Sequence, residues 1–520
     1  MMNKWRLISI TLTALLLFAA CGNTEYEVEE DIIEIIEEIE EQIEEIIEKP
    51  RAEIIPLDLQ YAMDIARIRR EAIEKPDYTA LLPLTEGREP SSGLLRELWG
   101  MQGGQLAGRI HTDDAIEDAR LLFQLLHETY GGYVYFGGDD VFLPMLEAIE
   151  ADLFAMNTDY LLLIRFLDIL HEHLSSVIAD NHFSLGHRRM GPNVSYFFSA
   201  TLRYDRSENG FRNSETDLYL LKIDGHHDIY DVMKLHADTD GRLFYRPVLL
   251  AKGSTPYYVT YFVYENDGLE RRSFAREPNR SWPQIELPSL RWIDGVPVVQ
   301  LMMMGNDIVP GAWGYEHVAP FLATAEYVRD EPVVIVDLRG NGGGGTMIAT
   351  RWLYAITGEL VSNNYMGVGP VLDFGPLSDA MEDGTISQET LDRIEYYSSH
   401  IESMVFDNDH WATHIEPRRI ISREQMMIFL TDRNIASAAE GFIDISFNLE
   451  NTLVIGQATS GTMMADGGLR TVLPNSGLGV VFGGGLTPWP EGLFAEGAGI
   501  LPDIWVSGDA LDIALALLDL

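Results

Sequence analysis

Val333-Val334-Ile335-Val336-Asp337-Leu338-Arg339-Gly340-Asn341-Gly342-Gly343-Gly344-Gly345 reads as a strand running into a glycine loop. The run from Val333 to Leu338 has no helical period and is rich in β-branched residues, the pattern of a strand buried on both faces of a parallel sheet. A helix-compatible segment, Thr346 to Leu360, follows the glycines. Glycines at the carboxyl end of a buried strand let backbone N–H groups approach a ligand with no Cβ in the way. Such a loop builds either a phosphate cradle or an oxyanion hole.

The chain has 520 residues, too many for one core, and 46% hydrophobic residues, enough for globular domains. A formal net charge of −44 excludes nucleic acid as an expected partner, because nothing would neutralise the phosphates. Lys4 and Arg6 precede an apolar stretch from Leu7 to Ala20, the layout of a secretory signal peptide. The stretch ends in Phe18-Ala19-Ala20-Cys21-Gly22, where Cys21 is the only cysteine. Small residues before a lone cysteine resemble a bacterial lipobox, although Phe18 stands where an aliphatic residue is usual. A lipidated Cys21 would anchor an extracytoplasmic protein to the cell membrane. Without disulfides, its stability must come from its cores.

In the acidic segment Glu25 to Glu48, Ile32, Ile36, Ile39, Ile43 and Ile46 alternate spacings of four and three, a helical seam. It reads as a charged spacer or, more sharply, as a stalk that would make a homo-oligomer. From Thr112 to about Ile178 apolar residues recur at helical spacing. From about Tyr196 to Phe274 polar and apolar residues alternate as in strands. After about Arg291 strands and helices alternate, with strands expected at Val298 to Met303, Val333 to Leu338, Met426 to Leu430, Thr452 to Ile455 and Gly479 to Phe482. That alternation implies βαβ crossovers and an α/β core.

Three further signals bear on chemistry. Met426 to Leu430 leads into a helix start at Ser437, where Ser437 and Glu440 also fit an ordinary capping box. A helix start can instead present the Ser437 hydroxyl with the Ala438 N–H beside it for an oxyanion. His182, in Asp180-Asn181-His182-Phe183, is a side chain suited to deprotonate a serine near neutral pH. Glu496, among the glycines of Phe494 to Asp503, could orient a histidine. His171 and His173 are two apart on a helix, so they diverge by about 200° and form no ligand pair. The glycine loop lacks a Gly-Lys-Ser/Thr continuation and dinucleotide spacing, which argues against a nucleotide site.

Taken in order, these pieces resemble the carboxyl-terminal processing (tail-specific) proteases and their relatives, the tricorn core protease and the interphotoreceptor retinoid-binding protein repeats. Val333 to Gly345 is similar to the family's strand and Asp-x-Arg-x-Asn-x-Gly-Gly; Asn434 to Glu440 to its nucleophile segment. Ile455 to Gly461 resembles Gly-Glu-x-Thr-x-Gly, and Glu496 to Asp503 resembles Glu-Gly-x-Gly-Val-x-Pro-Asp. The resemblance implies an α/β fold with a crotonase-like (ClpP/crotonase-type) core, an N-terminal helical domain and a β-rich, PDZ-like subdomain. The corresponding division is 1–21 signal peptide with lipobox, 22–55 acidic helical tether, 56–190 helical domain, 191–290 β-rich subdomain and 291–520 protease core.

Processing proteases of this kind use a Ser–Lys dyad, with the lysine about 25 residues beyond the serine. Here Thr462 occupies that place (437 + 25 = 462), and no lysine occurs after Lys252. The tricorn-like alternative implies Ser437 as nucleophile, His182 as base and Glu496 as orienting carboxylate. Ala438 and Gly343, or Gly342, would then supply the oxyanion hole. The expected partner is a protein or peptide substrate, with no cofactor and no metal. Two rivals stay open: a binding-only lipoprotein of the same fold, and a metal-dependent hydrolase using Asp180, His182 and His187.

Overall fold

The computed structural model describes residues 57–73, 108–207, 210–253, 255–265, 268–278, 289–305, 315–361, 366–370, 404–406, 411–415, 420–467 and 469–519. Cys21, the signal peptide and the isoleucine seam lie outside the described residues. The fold is mixed α/β, built on a large sheet.

At its centre run six neighbouring parallel strands: Val296–Gln300, Val333–Asp337, Met426–Thr431, Thr452–Gly456, Ile504–Val506 and Met233–Ala237. Both faces of the middle strands are covered, which explains apolar runs such as Val333–Val336 and Met426–Leu430. Val334, Val336, Met427 and Phe429 face one core, with the helices Tyr315–Val328, Met347–Thr357 and Ala438–Ser446. Val333, Ile335, Met426 and Ile428 face a second core, with the helices Leu57–Glu71 and Ala510–Leu517. The strand period of two therefore sorts neighbouring residues into different cores.

The sheet does not stop at the α/β core. Ile504–Val506 pairs with Met233–Ala237 through Trp505↔His236 and Val506↔Ala237. From there the sheet continues through antiparallel strands to fourteen in all among the described residues. The described residues between 191 and 278 are strands, turns and irregular chain, without α-helix. They keep a small core of their own, centred on Phe197, Tyr204, Phe262 and Phe274.

The helices Thr112–Thr129, Asp139–Ala155 and Leu163–Leu174 enclose a further core around Leu122, Phe142, Phe166 and Leu170. That core also takes in Leu469, Val480 and Phe482 from the far end of the chain. The physical link is a four-stranded sheet in which Gly479–Phe482 pairs with Ser184–Leu185. Two groupings read from the sequence thus differ in the structure. Gly479–Phe482 joins this smaller sheet instead of the parallel one. Residues 57–71, grouped with the helical domain, pack instead on the parallel sheet through Leu59, Ala62, Met63 and Ala66. Arg69 and Arg70 of that helix both bind the Asp503 carboxylate, which the sequence pattern could not reveal.

Phe442 packs edge-on against Phe321, Trp352 and Phe429, with ring centroids 6.1, 5.8 and 5.4 Å away. Fully buried, it joins three helices to the sheet. Replacing it with alanine is expected to cost about 3–5 kcal/mol, read as a lowered urea midpoint with unchanged slope.

Candidate active site

The strand Met426–Thr431 delivers its chain into a tight turn that places Ser437 at the start of helix Ala438–Ser446. Ser437 has φ 55° and ψ −127°, a positive-φ conformation costly for a residue with a Cβ. Two backbone contacts hold it there: its N–H lies 3.0 Å from Thr462 O and 3.0 Å from Glu440 Oε2. Ser437 and Glu440 together form a capping box at the start of this helix. The Ser437 hydroxyl lies 3.1 Å from His182 Nε2, a residue 255 positions earlier.

His182 is brought there by the chain that leaves the helical layer. Asp180 Oδ1 accepts the His182 N–H at 2.8 Å, while Tyr130 donates its hydroxyl to Asp180 Oδ2 at 3.1 Å. Just beyond, Ser184–Leu185 locks onto Gly479–Phe482. A Cβ on Gly467 would stand 2.8 Å from the His182 ring, so only glycine fits against it. Burial pushes the His182 pKa down to about 4, with Arg189 adding to the shift and the Ala465 backbone opposing it. Nδ1 is buried and completes no hydrogen bond of good geometry among the described residues.

Glu496 is also at the site, but it does not touch the imidazole. It sits at the tip of the hairpin Phe494–Ile500. Its Oε1 accepts the Asn181 N–H at 2.7 Å, and its Oε2 accepts Met464 N–H at 3.0 Å and Met463 N–H at 3.3 Å. The carboxylate expected to orient His182 directly binds instead the N–H of the residue before it. Burial pushes Glu496 up to about 8 and Asp180 up to about 6, against the N–H donors that favour their charged forms.

The glycine loop lies against the serine: a Cβ on Gly343 would stand 2.8 Å from Ser437 Cβ and 2.6 Å from Ala436 O. Its N–H, however, is taken by Asn341 Oδ1 at 3.0 Å, and Asn341 is itself fixed through Nδ2 to Leu301 O. In this arrangement the Asn341 side chain, two residues back, occupies the N–H of Gly343 that the expected oxyanion hole would use. Gly342 is exposed, and neither its N–H nor that of Ala438 donates a hydrogen bond among the described residues. Arg339 grips Asp337 through two hydrogen bonds of 2.8 and 2.7 Å and reaches Asp509, bracing the loop from below.

Several positioning residues carry no motif signal. Fully buried Glu440 accepts four donors: Thr459 Oγ1 at 2.5 Å, Gly461 N at 2.8 Å, Thr462 N at 2.8 Å and Ser437 N. Asp432 ties Gly340 to Asn434. Arg433 binds the carbonyls of Thr459, Gly497 and Ala498. For Glu440 a clue existed: it and Asp444 are acids four apart on a helix that is otherwise apolar on every side.

Of the residues in the metal reading, Asp180 is committed to Tyr130 and His182, and His187 is exposed in the turn between two short strands. Among the described residues no three histidine, cysteine, aspartate or glutamate side chains form a group able to hold a metal.

Because the Ser437 strain comes from its Cβ, Ser437→Gly should be more stable than Ser437→Ala by about 1 kcal/mol, measured by urea denaturation. Equal stabilities would mean that the turn carries no strain.

Residues 313–506 match the model of peptidase family S41. Among solved structures, mature CPAF is 14% identical over 78% of this chain and 95% of its own, with a TM-score of 0.35. The photosystem II D1 C-terminal processing protease is 13% identical over 78% and 96%, TM-score 0.34. A lipoprotein from Streptococcus agalactiae is 12% identical over 78% and 96%, TM-score 0.36. These structural likenesses are too distant to carry an argument about this site. No curated protein matches the chain. The family match agrees with the resemblance read from the four motifs, and the matched segment 313–506 carries both Ser437 and the glycine loop.

Proposed function

We propose that this protein is a serine peptidase that cleaves protein or peptide substrates through an acyl-enzyme, with Ser437 as nucleophile and His182 as general base. The observation that carries the reading is the 3.1 Å approach of His182 Nε2 to the Ser437 hydroxyl, made by a serine held at positive φ. Strain at a residue with a reactive hydroxyl is typical of a functional position. The core is taken as crotonase-like, and the protein as extracytoplasmic and anchored through lipidated Cys21, on the strength of the motifs and the lipobox. No helix among the described residues is long and apolar enough to cross a membrane.

In this mechanism His182 Nε2 accepts the hydroxyl proton as Ser437 Oγ attacks the substrate carbonyl carbon. Nε2 must then be the unprotonated nitrogen, so Nδ1 carries the hydrogen, facing the Ala465 backbone. The oxyanion is held by the Ala438 N–H with that of Gly342, a pair of donors free of internal partners. A single lost donor of this type reduces turnover by about 10²–10³. His182 next passes its proton to the leaving amine, and water, activated by the same nitrogen, releases the acid product. Glu496 acts as a positioning residue, holding Asn181 and with it the imidazole.

Ser437→Ala and His182→Ala should each abolish hydrolysis of a peptide library, and Ser437 should be labelled by a fluorophosphonate in the wild type only. Full activity in the Ser437→Ala protein would overturn the mechanism; a wild type that binds peptides without cleaving them would favour the binding-only reading. The pH profile gives a second check. A base depressed to about 4 stays neutral, and so competent, in mildly acidic solution. The acidic limb of kcat/KM attributable to His182 should therefore lie near pH 4, well below the ordinary histidine value of 6.5.

A further inference from the structure

Ser437 and His182 belong to distant parts of the chain, yet a productive site must hold such a pair to within about half an ångström. One peptide unit, that of Gly461, joins the contacts of both. Its N–H donates to Glu440 Oε1 at 2.8 Å, and the other oxygen of that carboxylate takes the Ser437 N–H. Its carbonyl accepts the Asn181 side-chain Nδ2 at 2.8 Å. The same carbonyl accepts the Gly497 N–H, from the hairpin that bears Glu496, also at 2.8 Å. Asn181 immediately precedes His182, so its amide ties the base to the segment that fixes the nucleophile.

The surroundings are shaped to this side chain. A Cβ on Gly191 would stand 2.2 Å from Asn181 Oδ1, and one on Gly461, at φ 74°, would stand 2.5 Å from Gly497 N. Turning the amide over would set Oδ1 against the Gly461 carbonyl, two acceptors with no proton between them, which fixes its orientation. The bond from Glu496 reaches only the Asn181 backbone and survives a change of side chain; the bond to Gly461 does not. We infer that Asn181 is a positioning residue whose side-chain amide, by holding Gly461, sets the distance between His182 Nε2 and Ser437 Oγ. Its importance for turnover rests on the serine-peptidase reading; the contact itself does not. Because the amide acts through Gly461 and not on substrate, its loss lowers kcat and spares KM.

Two substitutions test this in the full-length protein. Asn181→Ala removes the amide and keeps the backbone N–H for Glu496, whereas Asn181→Asp keeps the shape and replaces the donor with an acceptor. Both are compared with the wild type in the rate of Ser437 labelling by a fluorophosphonate, in kcat and KM for one peptide cleaved from the library, and in urea denaturation. A misplacement of about 1 Å costs about 10²-fold, so labelling rate and kcat per folded molecule should fall by about tenfold to a hundredfold, with KM within about twofold. The loss should be larger for Asn181→Asp. Gly191→Ala, which crowds the same amide, should give the same pattern and serves if either variant folds poorly. Wild-type rates per folded molecule, with only the urea midpoint lowered, would overturn the role of Asn181 and leave the peptidase reading intact. A wild type neither labelled nor active would overturn that reading and this role with it.

Discussion

A carboxylate removed from water is tolerable only if donors replace the lost hydration, and in Glu440 four donors converge on one buried side chain. Three of them come from the segment Thr459 to Thr462, and the fourth is the N–H of Ser437. Because charge-assisted bonds are the strong ones, this cluster resists the relaxation that a serine at positive φ would otherwise undergo. The hydroxyl faces His182 at 3.1 Å.

The parallel core was legible because its signal is local and strong. Runs such as Val333 to Leu338 can be buried on both sides only within a covered sheet, and four ordered motifs pointed to one family. What escaped the sequence depended on partners distant along the chain. Gly479–Phe482 has the same short apolar pattern as a central strand, and nothing in it says that Ser184–Leu185 is its neighbour. The helix Leu57–Glu71 is amphipathic towards whichever core accepts it, and the choice is made by Asp503, more than 400 positions away.

The same limit applies at the site. Ser437 and His182 were identifiable from residue type and motif, but the reach of Glu496 was not, because its carboxylate binds backbone N–H groups that every residue possesses. The side chain of Asn341 claims the Gly343 N–H, a contact set by loop geometry rather than by spacing. Burial of His182 likewise follows from the fit of Gly467 against the ring, which no count of histidines could show.

The order in which the reacting groups occur along the chain has a consequence for biosynthesis. A ribosome producing this protein completes His182 long before Ser437, and Glu496 only after both. The strand that fixes the histidine, Gly479–Phe482, also emerges after the serine. A prematurely terminated chain thus has His182 without Ser437, or Ser437 without the strand that fixes His182. Under the proposed mechanism, an abortive fragment of this chain would not hold the assembled pair.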